Sequence, residues 1–179
     1  MGHPLDFFKF CPHCGAADFV VNDARSKRCT KCGFTFYHNA AAATVAVILN
    51  EKKELLVARR ALNPAKGTLD LPGGFVDPGE SIDAGCIREV KEETGAHVEI
   101  VRYLFSIANT YCYSGFNVHT ADSFFLCRLK GAETVQACDD AAALYWIPLE
   151  KLNPLDFGLD SIRKGVERLL LLLKSNNTL

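Results

Sequence analysis

The sequence predicts an α/β fold over residues 40–179, preceded by a small module tied together by cysteines over residues 1–39. Three observations predict it. Beyond residue 40, short apolar runs of β character alternate with two helix-like segments, which fits a mixed or antiparallel sheet flanked by helices. Before it, four of the eight cysteines fall in two close pairs. The 179 residues are 49% hydrophobic and 23% charged, which suits a globular chain of one domain, or one plus a small module.

The first module contains Cys11-Pro-His-Cys14 and Cys29-Thr-Lys-Cys32, separated by fourteen residues. Two thiolates three positions apart on a tight turn can face one ion. Gly15 and Gly33, just after each pair, relieve such turns. Two turns of this kind supply a closed S4 shell, so the spacing points to a structural Zn²⁺ held by Cys11, Cys14, Cys29 and Cys32. A segment this short cannot hold itself together by burial alone, and the metal would stabilise it. Phe19-Val20-Val21 and Phe34-Thr35-Phe36-Tyr37 fit short strands behind the turns. His13 is surplus to the four thiolates and is expected to be a bystander that donates to one of them. The remaining cysteines (Cys86, Cys112, Cys127, Cys138) sit in apolar stretches, where core packing is expected.

Charge excludes some partners. Twenty Lys and Arg against 21 Asp and Glu leave a net charge of −1, so gross basicity does not support nucleic-acid or anionic-membrane binding. Residues 1–39 carry five bases and three acids. Four thiolates with Zn²⁺ cancel that excess; Arg25, Lys27, Arg28 and Lys31 cluster around the second turn and either touch phosphate or, as favoured, form a solvated ribbon loop. Residues 1–10 do not resemble an export signal, and the longest leucine run, Leu169 to Leu173, is far short of a membrane span of about 20 residues. A cytoplasmic, membrane-free protein is the expectation.

In the larger domain, Ala40 to Leu49 is an apolar strand candidate, and Glu54 to Arg60 follows a charged turn at Glu51-Lys52-Lys53. Asn63 to Gly67 reads as loop. Leu69 to Pro72 is a short strand running into Gly73-Gly74. Val98 to Ile107, Ser123 to Leu129 and Ala143 to Ile147 are further strands, and Asp160 to Lys174 closes the chain as a helix.

The stretch from Gly74 to Gly95 holds the chemistry. Pro78-Gly79 marks a turn, Ser81 suits a helix N-cap, and Gly95 suits the C-terminal stop after Thr94. With Glu89 at 0°, Glu93 falls near 40° and Glu92 near −60°, at about 100° per residue. Ile82, Cys86 and Val90 fall at about 20°, 60° and 100°, so the acidic face overlaps the edge of the buried one. Six acids and two bases lie between Asp77 and Glu93. An Arg88–Glu92 pair suits a solvated helix, but carboxylates converging beside apolar side chains repel. A hard divalent cation offsets that repulsion. Mg²⁺ or Mn²⁺ favours a few carboxylates with phosphate and water, which implies a phosphorylated substrate.

Gly74, Glu80, Arg88, Glu89, Val90, Glu92, Glu93 and Gly95 follow the pattern G-x5-E-x7-R-E-U-x-E-E-x-G-U, and the segment resembles the box of the Nudix hydrolase family over all 23 positions. Ala96 departs from it, since the family favours a larger aliphatic there. The flanking Leu71-Pro72-Gly73-Gly74 and Phe75 to Ser81 also resemble the family. The likeness extends over about residues 40–175 and implies a Nudix α/β/α sandwich with a mixed sheet.

The resemblance implies Mg²⁺ or Mn²⁺ ligands at Glu89, Glu93 and Glu92, directly or through water, with the Gly74 carbonyl as a further ligand. It implies that Glu80 pairs with Arg88 and holds Glu89 in place, and that water attacks a phosphorus of a diphosphate bridge. The general base varies across the family. A box glutamate serves in some members and a later-loop acid in others, and Asp139 or Asp140 stands in such a loop here. Arg59 is placed either to reach a phosphate or to form a surface ion pair. A zinc ribbon before a Nudix domain resembles the NADH pyrophosphatase group, but of that group's SQPWPFP-like signature only Ser106 matches in Ser106 to Tyr113. Asn109, Tyr111, Tyr113 and Phe116 either line a base or ribose pocket or pack a hairpin.

The expected activity is metal-dependent hydrolysis of a nucleoside diphosphate linked to another moiety, such as a dinucleotide, ADP-ribose or a nucleotide sugar. The products are NMP and a phosphorylated remainder. A MutT-type nucleoside-triphosphate pyrophosphohydrolase and a non-catalytic nucleotide-sensing or RNA-binding module stand as alternatives. The leucine-rich end of the last helix is expected to pack on the sheet and to suit a homodimer.

Overall fold

The computed structural model describes residues 2–113, 115–131, 135–138 and 141–176. The chain divides into two compact units, Met1–Ala40 with Thr110–His119, and Ala41–Asn109 with Thr120–Leu179. A sequential boundary at residue 39 does not include Thr110–His119 in the first unit.

The first unit carries a three-stranded antiparallel sheet in the order β1 (Phe19–Asp23), β2 (Ser26–Cys29), β3 (Thr35–Tyr37). Its core is small: Cys11, Phe19 and Cys29, with Ala16 and Phe34 against them. So little apolar burial gives a module of this size a weak hold of its own. Phe116 adds edge-on contacts to Phe7, Phe8 and His38.

Two further three-stranded sheets follow. One runs β4 (Ala41–Ile48), β8 (Phe116–Leu129), β7 (Val98–Tyr113), its β7 and β8 continuing into the Thr110–His119 part of the first unit, and the other, within the second unit, runs β6 (Leu69–Asp70), β5 (Glu54–Arg60), β9 (Ala141–Pro148). β4 pairs with β8 in parallel, whereas β5 pairs antiparallel with both neighbours. Pairing is therefore mixed, as expected.

Strand alternation sends side chains into two cores. Val45, Val47, Leu55, Val57, Leu69, Leu71 and Phe124 pack with Ile162, Val166 and Leu169 of helix α2 (Asp160–Asn176). Ala46, Ile48, Leu56, Phe125 and Cys127 pack with Cys86 and Val90 of helix α1 (Ile82–Thr94). Gly165 lets α2 lie directly on the Phe124 ring. Ala96, the small residue at the end of the box, is fully buried. No helix among the described residues is long and apolar enough to cross a membrane.

Several expectations change. β7 and β8 run well beyond the stretches Val98 to Ile107 and Ser123 to Leu129. Ile82, placed by periodicity on the buried face, is 42% exposed because it opens the first turn, ahead of the part of α1 that meets the sheet. Cys86 and Cys127 are core residues as expected, but Cys138 is exposed. The Cys112 side chain lies outside the described residues. In the leucine run, Leu169 is buried while Leu171 is 66% exposed.

Candidate active site

Helix α1 begins after Ser81, whose backbone is extended but whose side chain makes no capping bond. It ends at Gly95, in the left-handed conformation, whose N–H donates to the Lys91 carbonyl at 2.9 Å. Cys86 and Val90 bury one side of this helix, so Glu89 and Glu93 emerge at the border of the core.

A backbone segment meets them there. Residues 72–76 run alongside β4: Ala46 N–H donates to the Pro72 carbonyl at 2.7 Å, Thr44 N–H to Gly74 at 2.8 Å, and Val76 N–H to Ala42 at 3.1 Å. This brings Gly73 N–H to Glu93 Oε2 at 3.0 Å. Gly74 lies so close to Glu89 that a Cβ there would stand 2.5 Å from its carboxyl carbon. The Gly73-Gly74 doublet thus gives backbone access to two carboxylates, and Gly73 also has a φ of 147°, which disfavours a side chain.

Arg88 is the hub of the cluster. Its Nε donates to Glu80 Oε1 and its Nη2 to Glu80 Oε2, both at 3.0 Å. Nη1 reaches Glu89 at 2.9 Å and Glu92 at 3.0 Å, and Nη2 also donates to the Phe75 carbonyl at 2.8 Å. Asp77 lies 3.7 Å from Nε. One guanidinium therefore faces four carboxylates. The Arg88 bonds, joined by the Asp77 N–H, hold Glu80 below the usual carboxylate range. Burial pushes Glu89 above that range, against the pull of Arg88 and with added repulsion from Glu92 and Asp77.

A divalent cation fits this donor set. A half-buried carboxylate and surplus negative charge offer hard oxygen ligands, and the Gly74 carbonyl, which accepts the Thr44 N–H, has a second lone pair to offer. Among the described residues, however, only the cysteines bring three or more ligand atoms within 4.8 Å of one another. The glutamates are tied by Arg88 and Gly73 instead of being closed on one point.

The other candidates lie elsewhere. Arg59 donates to the Gly67 carbonyl at 2.6 Å and stacks over Tyr145 at 5.4 Å. Alternation puts it on the same side of β5 as Val57, where it is exposed, whereas α1 packs on the other face of β5. Asn109 is half-buried in β7. The side chain of Tyr111, and both Asp139 and Asp140, lie outside the described residues. The segment just before those acids docks on α1: Gln136 and Cys138 N–H groups donate to the Thr94 and Glu93 carbonyls, each at 2.9 Å. Sequence reasoning missed the contacts of Gly73 and Thr44; the glycine doublet was the available signal for the first, and Thr44 carried none.

In the first unit, Cys11, Cys14, Cys29 and Cys32 converge within 4.8 Å. The two turns repeat: Gly15 N–H donates to Cys11 and Gly33 N–H to Cys29, both at 2.9 Å, with φ of 72° and 77°. Cys11–Cys32 and Cys14–Cys29 Sγ distances are both 3.7 Å. Zn–S bonds of about 2.3 Å give a tetrahedral edge of about 3.8 Å, so the residues fit Zn²⁺. Backbone N–H groups of Cys32 and Lys31 aim at Cys29 and lower its thiol to about 7. His13 stacks on Phe34, with ring centroids 5.6 Å apart.

A family model described as NUDIX domain matches residues 39–169. The chain is 32% identical to an ADP-ribose pyrophosphatase of Methanocaldococcus jannaschii over 137 residues, covering 75% of this chain and 78% of that one. It is 30% identical over 105 residues to the NAD-capped RNA hydrolase NudC of Vibrio parahaemolyticus, covering 59% of this chain but 40% of the relative. The match thus spans less than half the length of that relative. Among solved structures, a NUDIX hydrolase from Nitrosomonas europaea superposes with a TM-score of 0.76 at 21% identity, covering 94% of both chains.

Proposed function

This chain belongs to the NUDIX domain family, and from that premise we propose that it hydrolyses the diphosphate linkage of a nucleoside diphosphate joined to another moiety, releasing NMP and a phosphorylated remainder. The observation that carries the reading is the meeting of Glu89 and Glu93 with the Gly73-Gly74 backbone. It brings two carboxylates against the backbone of one glycine doublet at the border of the core, with more negative charge than Arg88 balances.

Glu89, Glu93, Glu92 and the Gly74 carbonyl would hold Mg²⁺ or Mn²⁺. When bound, the ion polarises phosphoryl oxygens and lowers the pKa of water. The chain's own residues do the positioning. Arg88 donates to Glu89 and offsets part of the cost of its burial, and Glu80 fixes Arg88 with two bonds. Gly73 N–H orients Glu93. The four cysteines hold Zn²⁺ as a structural ion. The names of the two relatives support the substrate class, since ADP-ribose and NAD both join adenosine diphosphate to a further ribose.

The test is a panel of ADP-ribose, NADH, nucleotide sugars, dinucleotide polyphosphates and NTPs with Mg²⁺ or Mn²⁺, on wild type and Glu93→Gln, with products separated by chromatography. NMP release from a diphosphate-linked compound, lost in the variant, is expected. Pyrophosphate release from NTPs alone would replace this reading with the triphosphatase. No turnover, with ligand binding unchanged in the variant, would sink the enzyme reading.

A further inference from the structure

We infer that Asp70 is a positioning residue, which clamps the Gly73-Gly74 segment in place for metal binding; the inference rests on the catalytic reading above. Asp70 ends β6 and leads straight into Leu71-Pro72-Gly73-Gly74. Its Oδ1 accepts the Leu71 N–H at 2.8 Å, which fixes the first peptide of that segment. Its Oδ2 pairs with Arg60 Nη1, and Arg60 Nε donates to the Pro64 carbonyl at 2.7 Å. One carboxylate thus joins the end of β5, the loop after it and the start of the glycine segment. Leu69 and Leu71 point into the α2 core. Alternation therefore turns Asp70 to the other face, toward which α1 lies.

Stability alone is a weak reason for a charge here. The side chain is 13% exposed, and a buried ion pair seldom outdoes an apolar pair of the same size. Burial raises Asp70 above the usual carboxylate range despite Arg60, and the nearby charge of Asp122 adds to the shift. What the clamp supplies is a fixed starting point for four residues that end at the Glu89 and Glu93 carboxylates.

The test titrates Mn²⁺ into the full zinc-loaded chain without substrate, following the EPR signal of free Mn²⁺, and measures kcat and KM on the best compound of the panel. Asp70→Asn keeps an oxygen for Leu71 but loses the charge opposite Arg60. It is expected to bind Mn²⁺ about tenfold more weakly and to lose kcat by a similar factor, with KM within about twofold. Wild-type affinity and kcat in the variant would overturn the inference and leave the catalytic reading standing. A drop only in melting temperature and in the number of Mn²⁺ bound, with unchanged affinity, would show a structural role and also overturn it. If Asp70→Asn does not fold, Asp70→Asn with Arg60→Gln carries no buried charge and tests the same clamp. A several-fold loss of Mn²⁺ affinity supports it, and a wild-type value overturns it. Failure of the catalytic reading is distinct: wild type itself would turn over no compound, and Glu93→Gln would bind Mn²⁺ as wild type does.

Discussion

Arg88 grips Glu80 with two nitrogens, Nε on one carboxylate oxygen and Nη2 on the other, each at 3.0 Å. The same guanidinium has Nη1 left for Glu89 and Glu92. Lysine carries the charge but not the fork, so it cannot hold Glu80 bidentately and still reach Glu89. Arg88→Lys is expected to lower kcat by about 10- to 100-fold while leaving the helix folded. Steady-state kinetics beside circular dichroism checks both halves. Wild-type kcat in that variant would mean that charge alone suffices.

Gly74 is required by proximity and not by its backbone angle. A methyl there would stand 2.5 Å from the Glu89 carboxyl carbon and 2.6 Å from its Oε2. Either the carboxylate swings away or the segment moves off β4, breaking the Thr44–Gly74 bond. Gly74→Ala is expected to cost about 1–3 kcal/mol of stability and to abolish turnover. Denaturant unfolding and Mn²⁺ binding measure the two effects. An active, fully stable Gly74→Ala would show that Glu89 needs no such approach.

Zinc should be stoichiometric and hard to dispense with. Cys11 and Cys29 are buried in a small core with Phe19. Removing the ion leaves four thiol groups crowded together and little apolar surface to hold the turns. Elemental analysis is expected to find one Zn²⁺ per chain, and Cys11→Ser to lose it. Hydrogen exchange should then show loss of protection at the amides of Gly15 and Gly33. Because the ion binds thiolates, zinc affinity falls as pH falls. Persistent protection in the zinc-free chain would mean that the aromatic contacts suffice.

Much of this was legible locally. The α1 boundaries follow from Ser81 and Gly95, and the S4 cluster follows from spacing, because both depend on residues close in sequence. Contacts between distant segments were not legible. Nothing in Leu71 to Gly74 announces that Gly73 donates to Glu93 twenty residues on, since that bond depends on residues 72–76 lying beside β4. The parallel pairing of β4 with β8 is equally non-local. β8 runs longer than its apolar stretch because Phe116 to His119 continue the strand by alternating half-buried and exposed residues, a period-2 pattern and not an apolar run. Cys138 misled for a related reason. Its backbone, and not its side chain, is what docks on α1.

Glu89 links function to stability with a definite sign. Burial raises its folded-state pKa above the unfolded value of 4.5. The folded protein therefore binds the proton more tightly than the unfolded one. As pH rises from 4.5 through the raised folded value, stability is lost, and the cost stays in place above it. Metal-free Glu89→Gln escapes this cost because glutamine never ionises, and it can still accept a bond from Arg88. Its melting temperature should match wild type near pH 4 and exceed it at pH 7, by about 2–4 °C for each kcal/mol relieved. Mn²⁺ should reverse the order at pH 7, since the ion stabilises only the chain that binds it. A wild type that melts higher than the variant at pH 7 without metal would show that Arg88 already balances Glu89, removing the surplus charge on which the metal site is argued.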